Sequence, residues 1–340
     1  MMPDEPERGG ARGTEPRIAL PRWISPAAFA GLSPDARITG LGGETMGTGW
    51  TVRAVLPAGQ TPAGVRAAIV ARLDGIVTEM SHWSPASLLS RFNRSAVGSW
   101  TTLPPDFARV MAAGLAIAET SGGAFDPTIG RLVDLHGFGP VPADRPADAA
   151  QVARALGDSG WRRLVFTPAD RRLRQPGGLS LDLSGIAKGY AVDAVADLLT
   201  ASGIAHALVE IGGELVGRGV RPDGQPWWVD LEVPPGLTLA PFRVALHGLA
   251  VATSGDYRRG GHTIDPRTGY PVVDPVASVS VVHRSALEAD AWATALTVLG
   301  VEEGIALAAR EGLAARLVTV RGGDPVEHIT PALAEMLSDD

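Results

Sequence analysis

The residues best suited to chemistry lie in residues 182–193, where a lysine follows a glycine-bearing turn. Residues 179–183 alternate apolar and polar side chains, which predicts a strand, and residues 190–199 carry an apolar helical face. Lys188 would therefore stand where the turn at Ser184-Gly185 opens into a helix. Free backbone N–H groups and the positive helix end suit a phosphate at such a junction. The alternative is an ordinary turn with a surface lysine.

A second group of candidates is a carboxylate and a hydroxyl on one helix. Asp290 and Thr294 are four residues apart in a predicted helix over residues 286–300, so they share a face. Such hard oxygen donors suit Mg²⁺, which usually keeps waters and takes substrate phosphates as its remaining ligands. The alternative is that both side chains are solvated or cap the helix.

Three loops carry further candidates. His262 in a polar turn could take a proton from a hydroxyl, while its neighbour Asp265 could bond to the local backbone and only stabilise the turn. Asp126 could face a ligand or form an Asx-type turn. Trp83 could stack on a planar ring or plug the edge of the core.

Several functional classes are disfavoured by the sequence. It contains no GxSxG elbow, no HExxH, no P-loop lysine motif and no Rossmann fingerprint in a βαβ setting. The net charge of −7 without a basic cluster argues against nucleic-acid binding. The chain has no cysteine, which removes disulfides, thiolate metal sites and a cysteine nucleophile.

The 340 residues are predicted to form a disordered tail over residues 1–37 and a folded part over residues 38–340. The folded part is long enough for one large domain or two closely packed ones. Strands and helices are interspersed but many strands are consecutive, which favours an α+β fold with mixed or antiparallel sheets packed with helices. The sequence shows neither an apolar run of about 18 residues nor a signal-peptide core, so we expect a cytoplasmic protein without a membrane span.

Short segments spread over most of the chain match a known family in their types and order. They are Met46-Gly-Thr48, Ser81-His-Trp83, Ser90-Arg-Phe-Asn93, Gly123-Ala-Phe-Asp-Pro-Thr-Ile-Gly130, Asp182-Leu-Ser-Gly-Ile-Ala-Lys-Gly-Tyr-Ala-Val-Asp193, Gly212-Gly213-Glu214, Thr253-Ser-Gly-Asp-Tyr257, His262-Thr-Ile-Asp-Pro-Arg-Thr-Gly269 and Ala289-Asp-Ala-Trp-Ala-Thr294. On these segments the chain resembles the FAD:protein FMN transferase family, the ApbE-type flavin transferases. The resemblance implies a T-fold-related architecture with a flavin site between two halves.

The resemblance also implies an activity and a role for each matching residue. The expected enzyme depends on Mg²⁺, splits the pyrophosphate of its substrate FAD, attaches FMN through a phosphoester to a threonine of an acceptor protein, and releases AMP. The implied metal ligands are Asp290, Thr294 and the backbone carbonyl of Gly185. The implied flavin-binding residues are Met46, Trp83, Asp126, Lys188 and Ile264. The implied catalytic residues are Asp290 and His262, with His262 as the base for the acceptor threonine by hypothesis.

Three departures from the family pattern accompany this resemblance. Many members are exported lipoproteins with a signal peptide and a lipobox cysteine, so an extracytoplasmic address is the alternative to a cytoplasmic one. Ala293 stands where some members carry an acidic residue, and Glu214 stands where aspartate is usual. Two other functions stay open, an FAD pyrophosphatase that uses water as acceptor and a flavin-binding protein without turnover.

Overall fold

The computed structural model describes residues 16–21, 24, 26–29, 31–32, 35–140, 145–255, 261–273 and 276–337. Its helices are α1 (Pro62–Met80), α2 (Leu88–Asn93), α3 (Pro105–Thr120), α4 (Gly130–Leu135), α5 (Ala149–Asp158), α6 (Ala187–Ala201), α7 (Ala286–Arg310) and α8 (Pro331–Ala334). Its strands are β1 (Arg17–Ala19), β2 (Ile38–Thr45), β3 (Thr48–Val55), β4 (Trp100–Thr102), β5 (Val165–Thr167), β6 (Arg172–Arg174), β7 (Ala207–Ile211), β8 (Glu214–Arg218), β9 (Trp227–Asp230), β10 (Phe242–Leu246), β11 (Leu249–Ser254), β12 (Ser278–His283), β13 (Ala314–Arg321) and β14 (Asp324–Ile329).

An eight-stranded antiparallel sheet forms the centre of the protein. Its strands follow the order β14-β13-β12-β11-β8-β7-β3-β2. Helix α7 packs on β11 and β12, and helix α6 packs on β7 and β8. Two three-stranded sheets, β1-β10-β9 and β4-β6-β5, complete the fold. The predicted α+β class with antiparallel sheet is confirmed.

The middle strands β7, β11 and β12 bury side chains on both faces of the central sheet, whereas β3 exposes one face. Successive side chains of a strand point to opposite faces. Val209 and Ala252 belong to the main core, which also holds the helices α1, α3, α6 and α7. Leu208 and Val251, the residues just before them, belong to a second core shared with the β1-β10-β9 sheet. The helices that carry the candidate site therefore pack on one face of the sheet, and the second core packs on the opposite face.

Local signals in the sequence mark the start of α1. Thr61 caps α1, since its Oγ1 accepts a hydrogen bond from the backbone N–H of Gly64 at 3.2 Å, and Pro62 occupies the first turn. The helix predicted over residues 286–300 forms the first of two helical segments in α7, which meet at a kink at Gly300. This residue has φ 72° and ψ −166°, a conformation that glycine adopts without steric strain.

Two expectations about secondary structure are wrong. Arg17–Ala19, which the sequence analysis assigned to the disordered tail, pairs in parallel with β10 as an edge strand, because the β10 edge offers its free backbone groups. Residues 179–183 form no strand beyond one bridge between Ser180 and Ile129. The leucines of this segment alternate because they are buried in the core, without a partner strand alongside.

Helix α7 is long and apolar enough to cross a membrane by length and composition alone. More than half of that apolar stretch is buried inside the protein, against α6 and the strands β11 and β12. Its apolar character is thus accounted for by packing in the core.

Candidate active site

The site is built where α6 and α7 cross, and Gly189 makes that crossing possible. A Cβ on Gly189 would lie 2.7 Å from both the carbonyl carbon of Ala286 and the Cβ of Asp290, and closer still to the carbonyl oxygen of Ala286. Ordinary carbon contacts are about 3.5–4.0 Å, so only glycine fits. The two helix backbones therefore touch at the point where both helices begin.

This contact brings the carboxylate of Asp290 to the N-terminus of α6. The side chain is 4% exposed, and its Oδ2 accepts a hydrogen bond from the backbone N–H of Gly189 at 2.9 Å. Burial raises the pKa of Asp290, while the charge of Lys188 and the Gly189 N–H oppose that rise. A carboxylate at a positive helix end is favourable.

The sequence predicted that the backbone N–H groups at the start of α6 are free to bind a phosphate. This prediction is wrong for two of these groups. The N–H of Gly189 is taken by Asp290, and the N–H of Ala187 donates to the carbonyl of Leu183 at 2.8 Å. A phosphate at this junction would be bound through side chains and the local positive charge rather than through these two amides.

Lys188 and Glu214 form an ion pair beside Asp290. The hairpin between β7 and β8 places Glu214 at the start of β8, where it is 1% exposed and accepts a hydrogen bond from the Lys188 ammonium through Oε1. Burial raises the pKa of Glu214 to about 7, opposed by Lys188 and reinforced by the charge of Asp290. Within the described part of the chain, Glu214 Oε2 has no hydrogen-bond partner. The three groups form one charge cluster, in which the two carboxylates are buried and Lys188 is partly exposed.

The predicted metal ligands also meet at this junction. A Cβ on Gly185 would lie 2.9 Å from Oγ1 of Thr294, so the turn before α6 touches the hydroxyl of α7. Position 293, next to Thr294, is an alanine and so supplies no carboxylate to the site. Its side chain is fully buried in the main core. In the ranges that the structure describes, no three His, Cys, Asp or Glu side chains form a metal cluster. The available donors are hard oxygens, which fit a Mg²⁺ that keeps several waters.

Two of the predicted flavin residues lie on turns. Met46 occupies the two-residue turn between β2 and β3 with φ 50°, beside Gly47 with φ 73°, which is the backbone of a tight hairpin turn. Trp83 is 57% exposed on the loop after α1, with its ring 5.5 Å from that of His82. Trp83 therefore does not plug the core, and a role in stacking on a flat ring stays a prediction.

The other predicted flavin residues are held within the protein. Asp126 is buried, its Oδ1 accepts bonds from the N–H and hydroxyl of Thr128 at 2.8 and 2.6 Å, and its Oδ2 accepts the N–H of Trp161 at 3.0 Å. This is the Asx-type turn that the sequence left open, and desolvation raises the pKa of this carboxyl. Ile264 is buried in a small apolar cluster with Leu132 and Val152. Their contact with flavin remains a prediction.

The His262 turn packs against the segment after α4. The His262 ring lies edge-on to Phe138 at 6.4 Å, and the carboxylate of Asp265 binds the N–H and guanidinium of Arg267. Asp265 thus bonds within its own turn and stabilises it, which is the structural alternative given for this residue in the sequence analysis. Two residues of the matching segment at 253–257, Asp256 and Tyr257, lie outside the described residues.

A cleft of about 410 Å³ was not foreseen from the sequence. It is lined by His82, Ser90, Asn93, Arg94, Gly130, Arg131, Val133, Asp134, Pro140, Ser180, Leu181 and Asp182. Nδ1 of His82 lies 3.6 Å from Oδ1 of Asp182, and burial raises the pKa of Asp134. Its size is in the usual range for small-molecule sites, about 300–1,000 Å³. The lining comes from separate segments, so no local spacing announces it.

The structure thus brings Gly185, Lys188, Asp290 and Thr294 together. It places Met46, Trp83, Asp126, Ile264 and His262 on other loops. Glu214 was noted in the sequence only as a departure from a pattern, and the structure shows it inside the charge cluster.

Comparisons with known proteins give a consistent family. The model of the ApbE family matches residues 46–317. The FAD:protein FMN transferase of Klebsiella pneumoniae (strain 342) is 36% identical over 310 residues, 87% of this chain and 88% of the relative. That of Salmonella typhimurium (strain LT2) is 35% identical over 323 residues, 91% of each chain.

Solved structures agree with these relatives. The flavinyl transferase ApbE of Pseudomonas stutzeri in its apo form superposes with a TM-score of 0.84 at 36% identity, covering 90% of this chain and 98% of that one. The flavin transferase ApbE of Vibrio cholerae superposes with a TM-score of 0.83 at 31% identity, covering 88% and 99%. The chain belongs to the ApbE family.

Proposed function

We propose that this chain is a Mg²⁺-dependent FAD:protein FMN transferase that attaches FMN to a threonine of an acceptor protein and releases AMP. Relatives with that transferase name align over about nine-tenths of this chain. The observation that carries the proposal is the α6–α7 junction, which gathers a lysine and hard oxygen donors in a partly buried place. Pyrophosphate cleavage needs charge neutralisation of this kind.

The residues at the junction fit a divalent cation by their charge as well as by their donors. Asp290 and Glu214 bring two carboxylates and Lys188 brings one ammonium, so the ionised cluster carries one excess negative charge. Asp290, Thr294 and the carbonyl of Gly185 are the groups that would hold Mg²⁺. When bound, Mg²⁺ supplies charge stabilisation on phosphoryl oxygens.

The protein's own residues would do the remaining work. Lys188 donates hydrogen bonds to a phosphate oxygen and so offsets negative charge at the bond that breaks. The threonine Oγ of the acceptor forms a bond to the phosphorus of the FMN half, and the bond from that phosphorus to the bridging oxygen breaks, so AMP leaves with that oxygen. His262 takes the hydroxyl proton, because imidazole accepts protons near neutral pH. Trp83 stacks on the flavin ring.

The proposal is tested by product analysis in three matched reactions. The enzyme is incubated with FAD and Mg²⁺, together with a threonine-containing acceptor domain, with the same domain carrying alanine at that threonine, or with no acceptor. We expect one AMP for each FMN attached, and only in the first reaction. Equal release of free FMN and AMP with an unmodified acceptor would indicate a pyrophosphatase. Bound, intact FAD with several acceptors would indicate a flavin-binding protein.

A further inference from the structure

Asp193 lies on α6 and holds the beginning of α7. Its carboxylate is 2% exposed and accepts three hydrogen bonds from the first turn of that helix. Oδ2 accepts the hydroxyl of Ser285 at 2.7 Å and the N–H of Leu287 at 3.0 Å, and Oδ1 accepts the N–H of Ala286 at 3.0 Å. The first N–H groups of a helix lack intrahelical partners, so Asp193 acts as a cap supplied by another helix.

The capping is reciprocal. Asp290 on α7 accepts the N–H of Gly189 in the first turn of α6, while Asp193 on α6 accepts the first N–H groups of α7. Between the two caps, Gly189 touches the backbone of Ala286. Two hydrogen-bonded carboxylates and one backbone contact fix both the rotation and the register of α7 on α6.

Register matters here because the donor groups of the site lie on both helices. A slip of one residue would move Asp290 by about 1.5 Å along its axis and turn it by about 100°. Ligand geometry must hold to about 0.5 Å, so such a slip would separate Asp290 and Thr294 from the turn at Gly185. Leu287, which Asp193 holds, is within one helical turn of Asp290.

We propose that Asp193 is a positioning residue of this active site, which sets the ligands of α7 against the turn and lysine at the start of α6. It touches neither substrate nor metal in this role. The inference rests on the proposed function only in that Asp290 and Thr294 are taken as metal ligands. Removal of a cap of purely structural value would lower the melting temperature and would leave metal binding unchanged.

The test measures Mn²⁺ affinity by electron paramagnetic resonance, together with the melting temperature and FMN transfer, in full-length variants. Asp193→Asn keeps the shape of the side chain but turns a donor toward the N–H groups of α7. We expect Mn²⁺ binding about tenfold weaker or more at temperatures where the variant is folded, as for other groups that orient metal ligands. Ser285→Ala removes one of the three bonds to Asp193, together with the bond that Ser285 Oγ accepts from the N–H of Glu288 at 3.4 Å. It should weaken Mn²⁺ binding less than Asp193→Asn, which keeps the test valid if Asp193→Asn does not fold.

The matched control is Asp148→Ala on α5. Asp148 also caps a helix, through the N–H of Gln151 at 2.8 Å, but it lies away from the α6–α7 junction. Because Asp148 is exposed and Asp193 is buried, we expect a smaller loss of stability, with unchanged Mn²⁺ affinity. If Asp193→Asn and Ser285→Ala behave like this control, Asp193 is only a structural cap and the inference is overturned.

Failure of the proposed function gives a different result. Asp290→Ala shows whether the Mn²⁺ measured is bound at the junction. If Asp290→Ala and Asp193→Asn both lose Mn²⁺ while the wild type transfers no FMN, the positioning role stands and the transferase proposal falls. If Asp290→Ala binds Mn²⁺ like the wild type, the junction is not the metal site and the positioning role falls.

Discussion

Replacement of Gly189 by alanine would test the helix crossing on which the site depends. Helix propensity alone favours alanine by about 1 kcal/mol. The new Cβ would lie 2.7 Å from the carbonyl carbon of Ala286, so the helices would have to separate by roughly 1 Å. Such overpacking costs about 1–3 kcal/mol, and loss of the hydrogen bond to the Asp290 carboxylate costs about 1.5–3 kcal/mol more.

The net expectation for Gly189→Ala is a loss of roughly 1.5–5 kcal/mol in the free energy of unfolding, with weaker Mn²⁺ binding. Urea unfolding and a metal titration measure the two effects. Gly75→Ala in α1 is the matched control, since Gly75 is exposed in mid-helix and its Cβ would meet nothing within 4 Å. That variant should gain up to about 1 kcal/mol. A Gly189→Ala protein as stable as Gly75→Ala, with wild-type metal affinity, would refute the reasoning.

Three further outcomes follow from the charge cluster and the loops. Burial raises the pKa of Glu214 from 4.5 to about 7, so the folded state holds this proton more tightly than the unfolded state. Its contribution to stability is therefore full below pH 4.5 and falls by up to about 3 kcal/mol as the pH rises through 7. The stability of wild type relative to Glu214→Gln, from urea unfolding at pH 5 and pH 8, should fall accordingly, and a constant difference would contradict this. Trp83→Ala should weaken FAD binding about fivefold, as measured by flavin fluorescence, with little change in melting temperature because Trp83 is exposed; unchanged affinity would remove Trp83 from the flavin site. Thr294→Val keeps the volume but loses the hydroxyl, so Mn²⁺ affinity should fall about tenfold, and equal affinity would show that Thr294 is not a ligand.

The sequence predicted the helices and their shared faces well, because these follow from local spacing. The four-residue spacing of Asp290 and Thr294 and the cap at Thr61 are local features, and the structure has both. The antiparallel α+β class followed from the run of consecutive strands. The strand predicted over residues 179–183 is absent. An irregular segment that buries every second residue shows the same alternation in its sequence as a strand does.

Long-range contacts could not be predicted from spacing. Nothing local shows that Gly189 must be glycine for the sake of Ala286, or that Asp193 bonds to a helix more than ninety residues later in the chain. The Lys188–Glu214 pair joins a helix and a strand across the core. These contacts depend on how elements pack, and they decide which helix N–H groups remain available to a ligand.

We propose that the α6–α7 junction performs metal-dependent transfer of FMN, and intact-protein mass spectrometry of the acceptor tests this role most directly. The acceptor domain is incubated with FAD, Mg²⁺ and either the wild type or Asp290→Ala. We expect the wild type to add the mass of one FMN less water, and we expect Asp290→Ala, confirmed as folded, to add none, because charge stabilisation at the phosphoryl group is lost. An acceptor modified by Asp290→Ala at the wild-type rate would contradict the assignment of this junction as the active site.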